Sequence, residues 1–120
     1  MELRRKVFGD VVGSADLILA ASDGTRTPIT IRVGCPYQVD AFEWACPVEA
    51  HGREPRYPDM HGTTSLQALC LAVAVVRERI RDVRTKGGKF LDPDQDVEWD
   101  EDALAALFGL GSDSSRRTSR

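Results

Sequence analysis

Acidic side chains crowd one short stretch of this sequence. Residues 92–102, the acidic segment, hold seven carboxylates in eleven positions. Negative charge of this density attracts a basic protein surface and speeds its association. We therefore predict that a protein partner contacts Asp92, Asp94, Asp96, Glu98, Trp99 and Asp100. A solvated loop that only begins a helix would explain the same pattern. A calcium loop of the EF-hand type is excluded, because it needs glycine and glutamate where this sequence has Val97 and Ala103.

Basic and aromatic side chains lie together in residues 51–62. Four of them could line a pocket for a small ligand or a substrate: Arg53, Arg56, Tyr57 and His61. The alternative to a protein-binding domain is therefore a ligand-binding domain or an enzyme that uses this loop. A surface connection that tolerates such residues fits the pattern as well.

The cysteines and histidines match no zinc-binding spacing. Cys35, Cys46, His51 and His61 include no pair of the Cys-x-x-Cys type. We expect Cys35, Cys46 and Cys70 to lie on apolar faces as small hydrophobic residues. Strand alternation puts His51 on the face opposite Cys46, which argues against a nucleophilic pair. We predict no metal, no cofactor and no catalytic residue.

The charge of the whole chain narrows the choice of partners. A net charge of −3 disfavours nucleic-acid binding, which needs a basic field. The main basic cluster comes shortly before the acidic segment, and we expect the two to form ion pairs. The cluster consists of Arg77, Arg79, Arg81, Arg84, Lys86 and Lys89.

The sequence carries no signal for export or for a membrane. Gly9 and Asp10 interrupt the apolar run that a signal peptide would need after the basic start. No stretch reaches the ~18 apolar residues of a membrane span. The odd number of cysteines, three, favours reduced thiols. We expect a cytoplasmic protein without a membrane partner.

Strands are predicted in the first half of the chain. The length of 120 residues suits one domain, residues 1–110, followed by a polar, disordered tail at 111–120. Alternating or apolar runs predict strands at residues 3–8, 16–21, 29–35 and 42–50, with a weaker candidate at 54–59. Asp23 and Gly24 predict a turn, and residues 36–41 a loop. Pro47 places an edge or a bulge in its strand.

Helices are predicted in the second half. Thr64 and Gln67 form a capping box for a helix over residues 65–84, which a Lys-Gly-Gly sequence ends. Its apolar face should contain Leu66, Leu69, Cys70, Val73, Val76, Ile80 and Val83, and we expect its first half to be buried. Asp100 can cap a short helix over residues 103–108, with Trp99 as a hydrophobic staple on Leu104.

The start of the long helix, Gly62-Thr63-Thr64-Ser65-Leu66-Gln67-Ala68-Leu69, resembles the helix-opening motif of an uncharacterised family of small bacterial domains. In that family the motif runs Gly, any residue, Asp, Ser or Ala, and then Leu-Gln-Ala-Leu. The strand with Trp44-Ala45-Cys46 and the strand exit Val33-Gly34-Cys35-Pro36 are also similar to the family. The resemblance covers residues 28–85 and departs at Thr64, where the family has Asp. It implies an α+β domain and no known activity.

Together these patterns predict an α+β fold. We expect a mainly antiparallel sheet of three to five strands, with a long helix on one face and a short C-terminal helix. We interpret the protein as a non-enzymatic protein-binding domain, and most concretely as a bacterial immunity-type protein that masks a basic toxin domain. A homo-oligomer that buries the exposed sheet face or the apolar helix is a third interpretation, and the apolar first half of the helix supports it.

Overall fold

The protein has the α+β fold that its sequence predicts. A computed structural model describes residues 9–52, 57–94 and 97–107. The predicted strand at residues 3–8 and the predicted tail at 111–120 lie outside these ranges, as do residues 54–56 of the weaker candidate at 54–59, whose described residues 57–59 form no strand. The elements are β1 (Val11–Ala20), β2 (Arg26–Gly34), β3 (Tyr37–Asp40), β4 (Glu43–Cys46), β5 (Val48–His51), β6 (Met60–Gly62), α1 (Ser65–Thr85), β7 (Lys89–Leu91) and α2 (Glu101–Leu107).

The first sheet is antiparallel and has the strand order β5-β2-β1-β7. The predicted turn joins β1 to β2. There the Asp23 carboxylate accepts a hydrogen bond of 2.9 Å from the N–H of Thr25, and Gly24 adopts a φ of 93°. The face of this sheet that packs against α1 carries the core side chains Leu17, Leu19, Ile29, Ile31 and Val33.

The second sheet has the strand order β3-β4-β6 and was not predicted from the sequence. The predicted strand over residues 42–50 breaks at Pro47, so that β4 and β5 belong to different sheets. Pro47 has no N–H for a ladder, but its carbonyl oxygen accepts a 2.9 Å hydrogen bond from Gly34. Residues 36–41 are not a loop, because β3 lies there. Phe42, the first residue of the predicted strand, lies instead in the β3–β4 turn and is 82% exposed.

The predicted capping box is confirmed at the start of α1. The hydroxyl of Thr64 accepts a 3.0 Å hydrogen bond from the N–H of Gln67, and the Gln67 side chain reaches back to accept from the N–H of Thr63 at 2.6 Å. Gly62 lies directly against this cap, since a Cβ atom there would be 2.8 Å from the backbone nitrogen of Ala68. The close approach joins β6 to the helix.

The buried face of α1 differs from the predicted one. Its buried residues are Ala68, Ala72, Val76 and Ile80. Leu66 is 67% exposed, and Leu71 and Cys70 are also exposed. The small alanines let the helix lie close to the second sheet, with Leu69, Val75 and Val83 packed at the margin of the core. The prediction that the first half of the helix is enclosed was therefore wrong.

Candidate functional site

Backbone hydrogen bonds hold the acidic segment against the first sheet. The N–H of Asp92 donates to the carbonyl oxygen of Val97 at 2.8 Å, which closes a turn. The N–H of Trp99 donates to the carbonyl oxygen of Phe90, the middle residue of β7, at 2.7 Å. A β-bridge joins Leu91 to Glu98 between these two bonds. The segment is therefore an extension of the sheet edge.

The C-terminal part of the acidic segment is anchored by α2. The Asp100 carboxylate accepts a 2.9 Å hydrogen bond from the N–H of Ala103, which confirms the predicted cap. Leu104 belongs to the buried core, and Trp99 packs against the same core. Glu101 and Asp102 lie in the first turn, where the helix dipole favours negative charge. The carboxylates of Asp100, Glu101 and Asp102 thus project from a structured element.

The predicted partner-contact residues fall into two groups. Asp94, Glu98 and Asp100 are exposed. Asp92 and Trp99 are half-buried, and the Asp92 carboxylate accepts a hydrogen bond of 2.8 Å from the N–H of Asp94. Trp99 occupies the position of the predicted staple. Asp96 lies outside the described residues.

One ion pair between described residues crosses from the basic cluster to the acidic segment. The guanidinium of Arg84 lies 3.2 Å from the Glu101 carboxylate. Two other pairs stay within α1 or at its end: Arg81 with Glu78, and Lys86 with Asp82, each at 3.2 Å. Apart from the Arg84–Glu101 pair, these contacts are local to α1, and Asp94 and Glu98 are exposed to solvent.

The residues of the alternative ligand site lie in different surroundings. The guanidinium of Arg79 lies 5.6 Å from the ring centre of Tyr57. Both residues line a small apolar cleft between the first sheet and α1, together with Ile29, Ile31, Ala50, Val76, Ile80, Val83 and Phe90. His61 contacts the Glu43 carboxylate of the second sheet at 2.6 Å. Arg53 and Arg56 lie outside the described residues.

The cleft beneath Tyr57 is small. It encloses about 30 Å³, whereas pockets for drug-sized ligands measure roughly 300–1,000 Å³. A space of that size holds about one or two water molecules. In this conformation the cleft does not hold a substrate of ordinary size.

The three cysteines differ in their surroundings. Cys46 is buried, as predicted, and its thiol donates to the carbonyl oxygen of Gly34 at 3.3 Å. Burial raises the pKa of this thiol to about 11, with smaller contributions from Asp59 and Cys35. Cys35 and Cys70 are exposed, against the prediction. β2 ends one residue before Cys35, and the buried stripe of α1 does not include Cys70.

A buried polar pair was missed by sequence reasoning. The hydroxyl of Tyr37 donates to the carboxylate of Asp59 at 2.5 Å, and Asp59 is 6% exposed. The two residues are 22 positions apart, and no local pattern connects them. The bond attaches β3 to the segment that precedes β6.

No helix in the described parts of the chain is both long and apolar enough to cross a membrane. Among the same residues, no group of three or more histidine, cysteine or carboxylate side chains is placed to hold a metal ion.

One protein-family profile matches most of the chain. The profile of the domain of unknown function DUF6968 matches residues 16–106, from the middle of β1 to the last turn of α2. The chain belongs to the DUF6968 family. The DUF6968 match includes the second sheet, the capped helix α1 and the acidic segment. No curated protein and no solved structure matches the chain.

Proposed function

We propose that the protein is a non-enzymatic protein-binding domain whose acidic segment docks on a basic surface of a partner. The observation that carries the proposal is the attachment of this segment to the fold. The Asp92–Val97 hydrogen bond, the Trp99–Phe90 hydrogen bond and the buried Leu104 attach the segment to the fold on both sides of its exposed carboxylates. Charges fixed in place lose less conformational entropy on binding than charges on a mobile loop.

The charge distribution of the chain supports the same proposal. From residue 90 to residue 115 the sequence contains no lysine, arginine or histidine. The acidic segment carries seven negative charges, whereas the rest of the chain has a formal net charge of +4. A field of one sign over a limited surface guides an oppositely charged partner into register.

The most concrete form of this function is an immunity-type protein that masks a toxin. A small acidic domain can cover the basic substrate-binding surface of a toxin without chemistry of its own. In this form the partner is a basic protein that arrests growth when it is expressed alone. Co-expression with this chain should restore growth, and charge reversal in the acidic segment should abolish the rescue.

Affinity capture from the host with matched charge variants tests the proposal. The baits are the wild-type protein, the double variant Asp94→Lys with Glu98→Lys, and a control with Asp40→Lys and Glu78→Lys, which lie away from the acidic segment. Both double variants change the net charge equally, and all four positions are exposed. We expect the wild type and the control to enrich the same basic protein. The proposal is wrong if the acidic-segment variant captures that protein equally well, or if no basic protein is enriched.

A second candidate function, self-association, follows from the uncovered part of α1. Leu66, Cys70 and Leu71 are exposed on its first two turns, and exposed apolar patches often mark interfaces. Light scattering should then show a dimer that Leu66→Glu converts to a monomer. A monomeric wild-type protein would exclude this candidate.

A further inference from the structure

Strand β1 is longer than the strand that pairs with it on one side. β2 pairs with β1 along almost its whole length, from Val11 to Ala20. β7, on the other side, pairs only with Ile18, Leu19 and Ala20. Among the described residues, no strand pairs with residues 13–17 on the β7 side.

The backbone groups that face this open side follow from the hydrogen-bond pattern. The N–H of Ala21 donates to the carbonyl oxygen of Thr25, so Ala21 faces β2. Backbone groups alternate in direction along a strand, so Ala20 and Ile18 face β7. By the same alternation, the N–H and C=O groups of Ser14 and Asp16 point toward the open side. The bulge in β1 lies between Val11 and Gly13, and it does not disturb this alternation.

Pro93 explains why β7 stops short. Leu91 pairs with Ile18, and two further residues in the same register would place Pro93 opposite Asp16. Proline has no N–H to donate to the carbonyl oxygen of Asp16. The chain instead turns at Asp92, whose N–H donates to Val97. The edge of β1 therefore extends beyond the end of β7.

Sheet edges are usually protected by charged side chains, proline or a bulge. Residues 13–17, Gly-Ser-Ala-Asp-Leu, contain no lysine or proline, and the bulge of β1 ends where they begin. Their one charged residue, Asp16, repels an acidic strand and attracts a basic one. Ser14 and Asp16, whose backbone groups point toward the open side, are exposed, and so is the neighbouring Gly13. A second backbone can approach this side closely.

We propose that the edge at Ser14 and Asp16 accepts an extended basic segment of the protein partner as an additional strand. This inference rests on the proposed function and specifies how the partner is held. Asp16 lies on the edge itself, Asp94 lies in the turn that follows β7, and β1 carries no lysine or arginine. Main-chain hydrogen bonds supply the register, and the carboxylates select basic side chains.

A peptide titration of the full-length protein tests the proposal. The probe is an octapeptide of alternating lysine and valine, and the readout is amide hydrogen exchange by NMR. In the free protein we expect fast exchange at Ser14 and Asp16. With the peptide, exchange at both should slow at least about tenfold. A glutamate–valine octapeptide should not bind. A lysine–valine peptide with N-methylated valines keeps its charge but loses donors, and should bind at least about tenfold more weakly.

A pair of variants at one position provides the matched control. Ser14→Pro removes the outward N–H, and a proline is tolerated on an edge strand. Ser14→Ala keeps the N–H and changes only the side chain. We expect Ser14→Pro to weaken peptide binding about tenfold and Ser14→Ala to leave it within about twofold. The chemical shifts of β2 residues verify that both variants are folded.

Several results would overturn the inference. Slow exchange at Ser14 and Asp16 in the free protein would mean that the chain itself or a second copy already occupies the edge. Equal binding of the methylated and unmethylated peptides would mean that charge alone holds them. If Ser14→Pro captures the host partner as well as the wild type while Asp94→Lys with Glu98→Lys does not, strand addition is wrong and the proposed function stands.

Discussion

Trp99 donates its backbone N–H to the carbonyl oxygen of Phe90 at 2.7 Å, while its indole packs against the core that contains Phe90. This one residue thus joins the acidic segment to β7 by a hydrogen bond and to the core by its side chain. The exposed Asp94 and Glu98 precede it, and the cap residue Asp100 follows it.

Truncation of Trp99 should release the acidic segment from the sheet. We expect Trp99→Ala to lower the free energy of unfolding by about 3 kcal/mol, because a large aromatic side chain leaves the margin of the core. Val97→Ala is the matched control, since Val97 is 56% exposed in the same segment. Urea denaturation measures both. A Trp99→Ala variant as stable as Val97→Ala would show that the indole does not anchor the segment.

Gly62 should not tolerate a side chain. A Cβ atom there would lie 2.8 Å from the backbone nitrogen of Ala68 and 2.9 Å from the Gln67 side-chain oxygen. We expect Gly62→Ala to destabilise the fold by about 1–3 kcal/mol, because the backbone of α1 must shift. Gly13→Ala, where a Cβ atom meets nothing within 4 Å, should change stability by less than about 0.5 kcal/mol. Equal thermal shifts for the two variants would contradict the close packing of β6 on the helix.

The Cys46 thiol should be inert in the folded protein. Its pKa is raised by burial to about 11, whereas Cys35 and Cys70 are exposed. We expect Ellman's reagent at pH 8 to modify Cys35 and Cys70 quickly and Cys46 only after denaturation. A variant with Cys35→Ser and Cys70→Ser isolates the buried thiol. Rapid modification of that variant under native conditions would contradict the burial of Cys46.

The same thiol should make stability depend on alkaline pH. The pKa in the folded state lies above the ordinary value of 9.0, so folding favours the neutral thiol. Its contribution is therefore fully present below pH 9 and is lost as the pH rises toward 11. The thermal unfolding temperature of the wild type should fall more steeply between pH 9 and 11 than that of the Cys46→Ala variant. Parallel curves would exclude a role for the thiol.

Local chemistry in the sequence was enough to predict the helices and the first hairpin. Thr64, Gln67 and Asp100 act through bonds that span at most four residues. The division into two sheets was not predictable, because it depends on which strands meet on either side of Pro47. The prediction of the buried face of α1 was also wrong. Cys70 and Ala72 are both apolar residues of the helix, and only tertiary packing decides that Ala72 is buried and Cys70 is exposed.

The acidic segment was visible in the sequence as charge density, but its attachment was not. The Trp99–Phe90 hydrogen bond depends on the pairing of β7 with β1, and β7 is too short, at three residues, to be recognised from its sequence pattern. The open edge at Ser14 and Asp16 depends on where that strand stops. Both features join distant parts of the chain, which periodicity alone does not report.

Docking through the acidic segment is tested most directly by the rate at which the captured partner associates with the protein at different salt concentrations. If the acidic segment guides docking, the association rate constant should fall at least about tenfold between low and high salt. At low salt it should be at least about tenfold slower for Asp94→Lys with Glu98→Lys than for the Asp40→Lys, Glu78→Lys control. An association rate constant that is independent of salt and equal in the two variants would show that the acidic segment does not guide docking.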